Sequence, residues 1–453
     1  MKALSAHVFR AYDIRGIVDT DFDPEWVERL GRACGTYFVS HGHGAAVVGF
    51  DCRHSSPAYH DALVRGLLST GVDVTSVGMV PTPVLYFAVK HLGRKAGVMI
   101  TASHNPSEYN GFKVVAGEST IHGEEIRRIW ELFERGEFAS GHGIGCSHDI
   151  VPSYIEAITS DVHPARKLKV VVDGGNGAGG ELCVEVLRRL GVEVVAQFCE
   201  PDGDFPNHHP DPVVEANMTA LMERVQVERA DLGIGLDGDA DRLGAVDGRG
   251  RLLNGDELLS LYAREMLARR PGETVIADVK CSHRLFDDIE AHGGKPMMWI
   301  TGHSVVKARM LEVGAPLAGE LSGHMFFGDR WFGFDDAIYG AARLVELLAA
   351  SDVPLTDLPG WPPSHATREL HLPCPEHAKF EVVRRAQAYF RERCTINDID
   401  GARVIFPDGW GLVRASNTQP VLVLRFEAQT PERLAEIRAF VEEPLRRWVA
   451  ELS

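Results

Sequence analysis

Short apolar segments alternate with helical patterns along most of this chain, and this alternation restricts its fold more than any other feature. Residues 45–50, 97–101 and 232–236 are apolar at nearly every position, and segments with helical periodicity lie between such runs. A strand that is apolar on both sides suits a parallel sheet with helices on both faces. The pattern therefore predicts an α/β fold.

The alternation changes after Pro354, and residues 358–363 (L-P-G-W-P-P) have the composition of a linker. Strand patterns predominate beyond it, which is typical of an α+β domain. The length alone suggests about three or four domains. We predict three similar mixed α/β domains plus a C-terminal α+β domain around a central active-site cleft, with bounds at 1–150, 151–252, 253–362 and 363–453.

The net charge of the chain limits the classes of molecule that it is expected to bind. The net charge is −17, from 47 lysines and arginines against 64 aspartates and glutamates. This excess disfavours nucleic acid and anionic membranes, although a local cluster of cations can still hold an anionic small molecule. We find no run of about 20 apolar residues and no signal peptide. The eight scattered cysteines are typical of reduced thiols. We expect a cytoplasmic, monomeric protein that binds small molecules.

An acidic loop follows the predicted strand 232–236. Its sequence D-G-D-A-D-R places Asp237, Asp239 and Asp241 at alternate positions. Three carboxylates that converge on one point select a hard divalent cation, and Mg²⁺ is the first candidate. The spacing is not that of an EF-hand. The alternative is a solvated acidic turn, but three crowded carboxylates repel one another without a cation.

A glycine-rich turn offers a competing interpretation. Residues 175–180 (G-N-G-A-G-G) fit the pattern G-x-G-x-x-G between a strand and a helix, and Glu200 follows about twenty residues later. That pattern is typical of dinucleotide-binding sites. The alternative is a tight turn that lets helix and strand pack closely. We favour the tight turn, because the motif often matches by chance.

Three more loops carry polar groups in suggestive combinations. The segment 101–106 (T-A-S-H-N-P) exposes Ser103 at a strand end, 319–324 (G-E-L-S-G-H) suits sugar hydroxyls, and 414–418 (R-A-S-N-T) suits a phosphate. Taken alone, each loop could be an ordinary polar turn. Lys113 and Arg15 could likewise be surface charges.

Taken together and in this order, the four loops resemble those of the α-D-phosphohexomutase superfamily, and most closely its bacterial phosphomannomutase/phosphoglucomutase type. The segment 9–16 (F-R-A-Y-D-I-R-G), Lys280 and the segment 301–304 (T-G-H-S) match as well. The resemblance covers nearly the whole chain. It implies that the glycine-rich turn is part of the architecture and binds no nucleotide.

The resemblance implies reversible interconversion of hexose 1-phosphate and hexose 6-phosphate, for mannose and glucose, through a phosphoserine and a 1,6-bisphosphate. It implies Mg²⁺ as cofactor and glucose 1,6-bisphosphate as activator. The implied metal ligands are Ser103, Asp237, Asp239 and Asp241. The implied catalytic residues are Ser103, His104, Lys113, Arg15 and Arg242. The implied substrate-binding residues are Tyr12, Arg15, Lys280, Gly302, His303, Glu320, Ser322, His324, Arg414, Ser416, Asn417 and Thr418.

Three alternatives remain at this stage. Within the superfamily, the chain could be a phosphoglucosamine or phosphopentose mutase. It could also be an NAD-dependent oxidoreductase that uses residues 175–180, or a sugar-phosphate-binding protein without turnover. The intact Ser103, Lys113 and aspartates argue against a protein without turnover.

Overall fold

The structure is a computed structural model that describes residues 6–416 and 420–452. The chain forms four domains, each built on a sheet of its own. This agrees with the predicted fold class, while the individual domain bounds stay a prediction. Among the described residues, no helix is long and apolar enough to cross a membrane.

The first domain contains a seven-stranded sheet. Its elements are β1 (Ile14–Ile17), α1 (Pro24–Ser40), β2 (Ala45–Phe50), α2 (Ser56–Leu68), β3 (Asp73–Met79), α3 (Thr82–His91), β4 (Ala96–Ile100), β5 (Tyr109–Ala116), β6 (Ser119–Thr120), α4 (Glu124–Arg135) and β7 (Gly145–Ser147). The order is β1-β5-β4-β2-β3-β7, with β6 on β5. Strands β4, β2, β3 and β7 are parallel, whereas β5 runs antiparallel to β1 and β4.

The second and third domains repeat this mixed arrangement on smaller sheets. The second contains α5 (Val151–Asp161), β8 (Lys169–Asp173), α6 (Gly180–Arg189), β9 (Glu193–Gln197), α7 (Glu215–Glu228), β10 (Leu232–Leu236), β11 (Leu243–Asp247) and β12 (Leu252–Leu253), in the strand order β12-β11-β10-β8-β9. The third contains α8 (Gly255–Arg269), β13 (Thr274–Asp278), α9 (His283–Ala291), β14 (Lys295–Trp299), α10 (His303–Val313), β15 (Leu317–Gly319), β16 (Met325–Phe327) and α11 (Ala337–Ala350), in the strand order β14-β13-β15-β16.

The fourth domain is an antiparallel sheet with two helices. It contains β17 (His365–Ala366), β18 (Leu370–Pro373), α12 (Lys379–Arg391), β19 (Thr395–Asn397), β20 (Ala402–Phe406), β21 (Gly409–Ala415), β22 (Val421–Ala428) and α13 (Pro431–Leu452). The order is β17-β22-β21-β20-β19, with β18 on β22. The α+β prediction for this part of the chain is confirmed.

The apolar runs suit parallel strands, which form the centre of the first three sheets, but each of these sheets also contains antiparallel pairs. Strands β5, β11 and β16 each run antiparallel to the strand that precedes them in sequence. The reason lies in the connections, which span only 101–108, 237–242 and 320–324. A parallel connection needs a dozen or more residues, so links this short force a hairpin.

Buried apolar side chains form several clusters, and one of them lies wholly within the first domain, around Trp26 and Phe112. Another cluster extends from Val47 in the first domain through Val172 and Leu258 to Leu355. The fourth domain has a separate cluster around Phe390, Phe426 and α13. All eight cysteines are free, as expected for reduced thiols.

Candidate functional site

Each of the four polar loops joins two antiparallel neighbouring strands. The serine loop connects β4 to β5, the acidic loop connects β10 to β11, and the loop with Glu320 connects β15 to β16. The segment 414–418 starts at the end of β21, whose antiparallel partner is β22. The same arrangement, a loop beside an antiparallel strand pair, therefore presents one polar loop from each domain. The sequence itself shows no repeat at the level of residues.

The serine loop and the acidic loop meet directly. Ser103 Oγ donates a hydrogen bond of 2.7 Å to Asp237 Oδ2, and both side chains are buried. The backbone of Ser103 is left-handed, with φ of 51°. Asp237 Oδ1 accepts bonds of 3.0 Å from the backbone N–H groups of Asp241 and Arg242, which fix the curl of its loop. The two loops thus place a hydroxyl against a carboxylate across a domain boundary.

The three aspartates of the acidic loop form a group that fits a divalent cation. Their side chains are fully buried, and one oxygen from each lies within 4.8 Å of the others. Among the described residues, Asp239 Oδ1 has no hydrogen-bond partner although it is buried. Burial, together with the charges of Asp241 and Asp239, raises the pKa of Asp237 well above its usual range. A buried oxygen without a partner and crowded carboxylates are what a hard cation would satisfy.

Lys113 reaches the same carboxylates from β5. Its Nζ donates to Asp239 Oδ2 at 2.6 Å and also to Asp241 Oδ2, and its side chain is 3% exposed. Burial alone would lower the pKa of Lys113, but Asp239 and Asp241 hold it well above its usual value. In turn, Lys113 and His324 outweigh burial and hold the pKa of Asp241 well below its usual range. Lys113 is therefore a buried ammonium and not a surface charge.

The remaining predicted catalytic residues surround Ser103. His104 Nδ1 lies 3.1 Å from Ser103 Oγ, and burial together with Arg242 and Arg15 lowers the pKa of His104 well below its usual value. Arg15 Nη1 donates to Asn105 Oδ1 at 2.7 Å, which ties β1 to the serine loop. The lowered pKa favours the neutral form of the His104 imidazole beside the Ser103 hydroxyl.

Glu320 and His324 connect the third domain to the acidic loop. His324 Nδ1 donates to Glu320 Oε2 at 2.8 Å, and its Nε2 lies 3.2 Å from Asp241 Oδ1. Burial opposes the charge of the imidazole, but Asp241 and Glu320 raise the pKa of His324 to about 9. Ser322 Oγ lies 3.1 Å from His324 Nδ1. The side chains of this loop that are predicted to bind a sugar thus form one cluster around His324.

Gly302, His303 and Tyr12 extend this cluster towards the first domain. Gly302 N–H donates to Glu320 Oε1 at 2.6 Å. Its φ is 140°, and a Cβ there would lie 2.7 Å from the Tyr12 ring, so only glycine fits. Tyr12 Oη donates to Thr301 O at 2.9 Å, and the rings of His303 and His324 are 5.6 Å apart.

The predicted phosphate-binding residues lie where the third and fourth domains touch. Lys280 Nζ is 3.1 Å from Glu369 Oε2. Arg414 Nε donates to Asp400 Oδ2 at 2.9 Å, and the same oxygen accepts a bond of 3.1 Å from Thr301 N–H. Ser416 is buried. The other two predicted members of this loop, Asn417 and Thr418, lie outside the described residues.

The sequence patterns did not reveal Lys307, a buried lysine that lies next to His303. Lys307 Nζ donates to Asp335 Oδ1 at 2.7 Å and lies 3.3 Å from His303 Nδ1. It also lies 4.3 Å from the centre of the Tyr86 ring. No local pattern marks Lys307, because its partner Asp335 is 28 positions away. Together they fix the position of the His303 imidazole.

The glycine-rich turn packs against the acidic loop. A Cβ on Gly177 would lie 2.7 Å from the carbonyl oxygen of Gly238, and Ala178 N–H donates to that oxygen at 3.0 Å. The absence of a side chain at Gly177 therefore lets the two loops pack closely against each other. The interpretation as a tight turn is correct, and the oxidoreductase alternative loses its main support.

Comparison with known proteins gives a consistent result. Four family models match successive segments: phosphoglucomutase/phosphomannomutase alpha/beta/alpha domains I, II and III over residues 6–140, 152–250 and 254–362, and the C-terminal domain over residues 369–443. The phosphomannomutase/phosphoglucomutase of Pseudomonas aeruginosa is 46% identical over 446 residues, which are 98% of this chain and 96% of that protein. The phosphoglucomutase of Neisseria gonorrhoeae is 43% identical over 443 residues, 97% of this chain and 96% of that protein. A crystal structure of a phosphoglucomutase/phosphomannomutase family protein from Burkholderia thailandensis superposes with a TM-score of 0.93 at 42% identity and 98% coverage of both chains.

Proposed function

The chain belongs to the phosphoglucomutase/phosphomannomutase family, and on this basis we propose how its residues interconvert hexose 1-phosphates and hexose 6-phosphates. The activity is that of a phosphomannomutase/phosphoglucomutase, an isomerase. The phosphoglucosamine mutase, oxidoreductase and binding-protein alternatives are not favoured.

Ser103 is the proposed carrier of the phosphoryl group, and its bond to Asp237 is the observation that supports this most strongly. The phosphoryl group leaves Ser103 Oγ for the free hydroxyl of a hexose 1-phosphate, which gives a 1,6-bisphosphate. After the bisphosphate turns over in the site, its other phosphoryl group returns to Ser103, and the 6-phosphate is released. Glucose 1,6-bisphosphate would load an unphosphorylated Ser103, which explains its expected role as activator.

Asp237, Asp239 and Asp241, with an oxygen of the phosphorylated Ser103, would hold Mg²⁺. The ion would supply positive charge to the phosphoryl oxygens, which is the main requirement of such a transfer.

Lys113, His104, Arg15 and Arg242 are proposed to handle charge and protons around Ser103. The Lys113 ammonium can donate a proton or neutralise the serine oxygen as its phosphoryl group departs. The neutral His104 imidazole, 3.1 Å from Ser103 Oγ, is placed to accept one. Arg15, anchored on Asn105, and Arg242 contribute fixed positive charge near the phosphate.

The sugar and its second phosphate are proposed to lie between the third and fourth domains. The group that recognises the sugar consists of Tyr12, Gly302, His303, Glu320, Ser322 and His324. The group that holds the phosphate that does not react consists of Lys280, Arg414, Ser416, Asn417 and Thr418. The O3 and O4 hydroxyls lie near the axis that relates the two orientations of the sugar in the site. If the Glu320 carboxylate binds these two hydroxyls, recognition does not depend on C2. The C2 epimers glucose and mannose are then both accepted.

The test is phosphorus NMR with Mg²⁺, a trace of glucose 1,6-bisphosphate, and glucose 1-phosphate or mannose 1-phosphate in separate samples. Wild-type protein should convert both to 6-phosphates. Ser103→Ala should lower the rate by about 10³-fold or more, since the covalent route is lost. Ser107→Ala, which changes an exposed serine of the same loop, is the matched control and should keep its rate. Full activity in the Ser103→Ala variant would refute the proposal. A cytoplasmic location and a monomeric state stay predictions.

A further inference from the structure

Arg53 is a fully buried arginine that no part of the proposed reaction uses. It follows β2, and its side chain has no exposed surface. Its Nη1 donates to the carbonyl oxygens of Pro106 and Tyr109 at 2.6 and 3.0 Å. Its Nη2 donates to those of Ser103 and Asn105 at 2.8 and 2.6 Å. Four of the five guanidinium N–H donors are therefore directed at backbone carbonyls, three in the serine loop and that of Tyr109 at the start of β5.

The fifth donor of Arg53 is held by Asp51. Arg53 Nε donates to Asp51 Oδ2 at 3.1 Å, and Asp51 Oδ1 accepts bonds from Arg53 N–H at 3.1 Å and from Ser56 Oγ at 2.6 Å. The ring of Phe205, from the second domain, covers the guanidinium at 5.0 Å. All five guanidinium N–H donors have acceptors, and the Phe205 ring covers the guanidinium. Asp51 and the four backbone carbonyls therefore fix its orientation.

The serine loop needs such an anchor because its backbone is unfavourable. Ser103 has a φ of 51°, a region in which residues other than glycine cost about 1–2 kcal/mol. The Ser103 carbonyl bonded to Arg53 also packs against the acidic loop, because a Cβ on Gly238 would lie 2.4 Å from it. Arg53 therefore controls both the direction of the serine and its distance from the aspartates.

We propose that Arg53 is a positioning residue for phosphoryl transfer, which holds Ser103 Oγ in line with the acidic loop. Among the described residues, its guanidinium bonds neither the Ser103 hydroxyl nor any member of the sugar-binding and phosphate-binding groups. Its loss should therefore slow the chemical step and leave sugar binding intact. The inference rests on the proposed phosphoserine function of Ser103.

The experiment compares Arg53→Lys with wild type in the full chain. Lysine keeps the charge but has three donors and cannot reach four carbonyls in the planar arrangement. Misplacement of a reacting group by about 1 Å costs about 10²-fold, so kcat should fall by about 10- to 100-fold. KM for glucose 1-phosphate should stay within about twofold. The rate of Ser103 phosphorylation by glucose 1,6-bisphosphate, followed by intact mass, should fall by the same factor as kcat.

The matched control is Arg29→Lys. Arg29 Nε and Nη2 also donate to backbone carbonyls in the first domain, those of Phe133 and Glu134 at 2.8 and 3.2 Å, at the end of α4. Its substitution should change thermal stability without changing kcat per folded molecule. In an Arg53→Ala variant, millimolar guanidinium chloride should restore part of kcat, whereas equal concentrations of urea or sodium chloride should not.

The outcomes separate the two proposals. If wild-type Ser103 is never phosphorylated, the proposed function fails. If wild type is phosphorylated normally and Arg53→Lys keeps its kcat, or loses kcat only as much as Arg29→Lys, the positioning role is refuted. Should neither Arg53 variant fold, Asp51→Asn keeps the guanidinium but weakens its anchor. A folded Asp51→Asn variant with wild-type kcat would then refute the role, and a reduced kcat at unchanged KM would support it.

Discussion

Lys113→Met tests how the acidic loop balances its charge. The substitution removes an ammonium whose Nζ lies 2.6 Å from Asp239 Oδ2 and which also bonds Asp241, with all three side chains 3% exposed or less. Loss of one partner from a buried ion pair costs about 3–5 kcal/mol, because the remaining charges are uncompensated. In EDTA, we expect the free energy of unfolding to fall by that amount, as measured by urea unfolding with tryptophan fluorescence.

Magnesium should reverse part of this loss. A dication on the same carboxylates replaces the missing positive charge, and saturation at about 100 times Kd stabilises a protein by about 2.7 kcal/mol. Lys113 also competes with the ion for Asp239 and Asp241. Its removal should therefore lower the Kd for Mg²⁺ by at least about tenfold, which corresponds to about 1.4 kcal/mol. Isothermal titration calorimetry of the apoprotein measures this directly, whether or not the variant is active.

Lys90→Met is the control, since Lys90 pairs with Glu118 at 2.7 Å on the surface. A surface pair contributes about 0–1 kcal/mol, so stability should change little and the Kd for Mg²⁺ not at all. Unchanged stability of Lys113→Met in EDTA, or a Kd for Mg²⁺ equal to that of wild type, would show that Lys113 does not neutralise the aspartates.

Two further substitutions test other parts of the site and its support. Asp336 accepts bonds from Tyr154 Oη at 2.8 Å and Tyr339 N–H at 2.9 Å, and burial raises its pKa to about 7. Because the folded state holds this proton more tightly than the unfolded chain, the resulting stability is complete below about pH 4 and disappears as pH rises through 7. Between pH 5 and 8, the Tm of wild type should therefore fall relative to that of Asp336→Asn, and parallel Tm curves would contradict this. Glu320→Gln removes a charged acceptor for sugar hydroxyls, so KM should rise about tenfold or more for glucose 1-phosphate and mannose 1-phosphate alike. Unequal increases of KM for the two substrates in steady-state assays would show that the site distinguishes the configuration at C2.

The local loops of the site could be predicted because each is a short motif at a strand end. The acidic loop follows an apolar strand, and its alternating carboxylates point to a cation without any knowledge of the fold. The serine loop is similar, although its chemistry becomes evident only beside Asp237, which lies 134 positions further along the chain. The amphipathic pattern over residues 57–69 also predicts a helix, and α2 is observed over Ser56–Leu68.

The burial and the partners of the cations Lys113 and Arg53 could not be predicted from residue patterns, because the partners are distant in sequence. Lys113 lies on β5, which the apolar pattern did not reveal, and its carboxylates follow 126 and 128 positions later. Arg53 bonds carbonyl groups, which every residue carries, so no side-chain pattern marks its target. Helix α1 was also missed, although Asp23 caps it and Pro24 stands at its first position.

The division of the apolar core has a consequence for the order of events during synthesis. One cluster joins Val47 of the first sheet to Val345 of α11, so this core cannot close before about 350 residues have left the ribosome. Until then, the face of the first sheet that carries Val47 lacks part of the apolar contacts that it makes in the folded protein. The fourth domain closes its own cluster afterwards, from Leu372 to Trp448. Since the loops that hold the serine and the aspartates stand on the shared core, the active site is assembled late, and no truncated chain that ends before α11 would contain it complete.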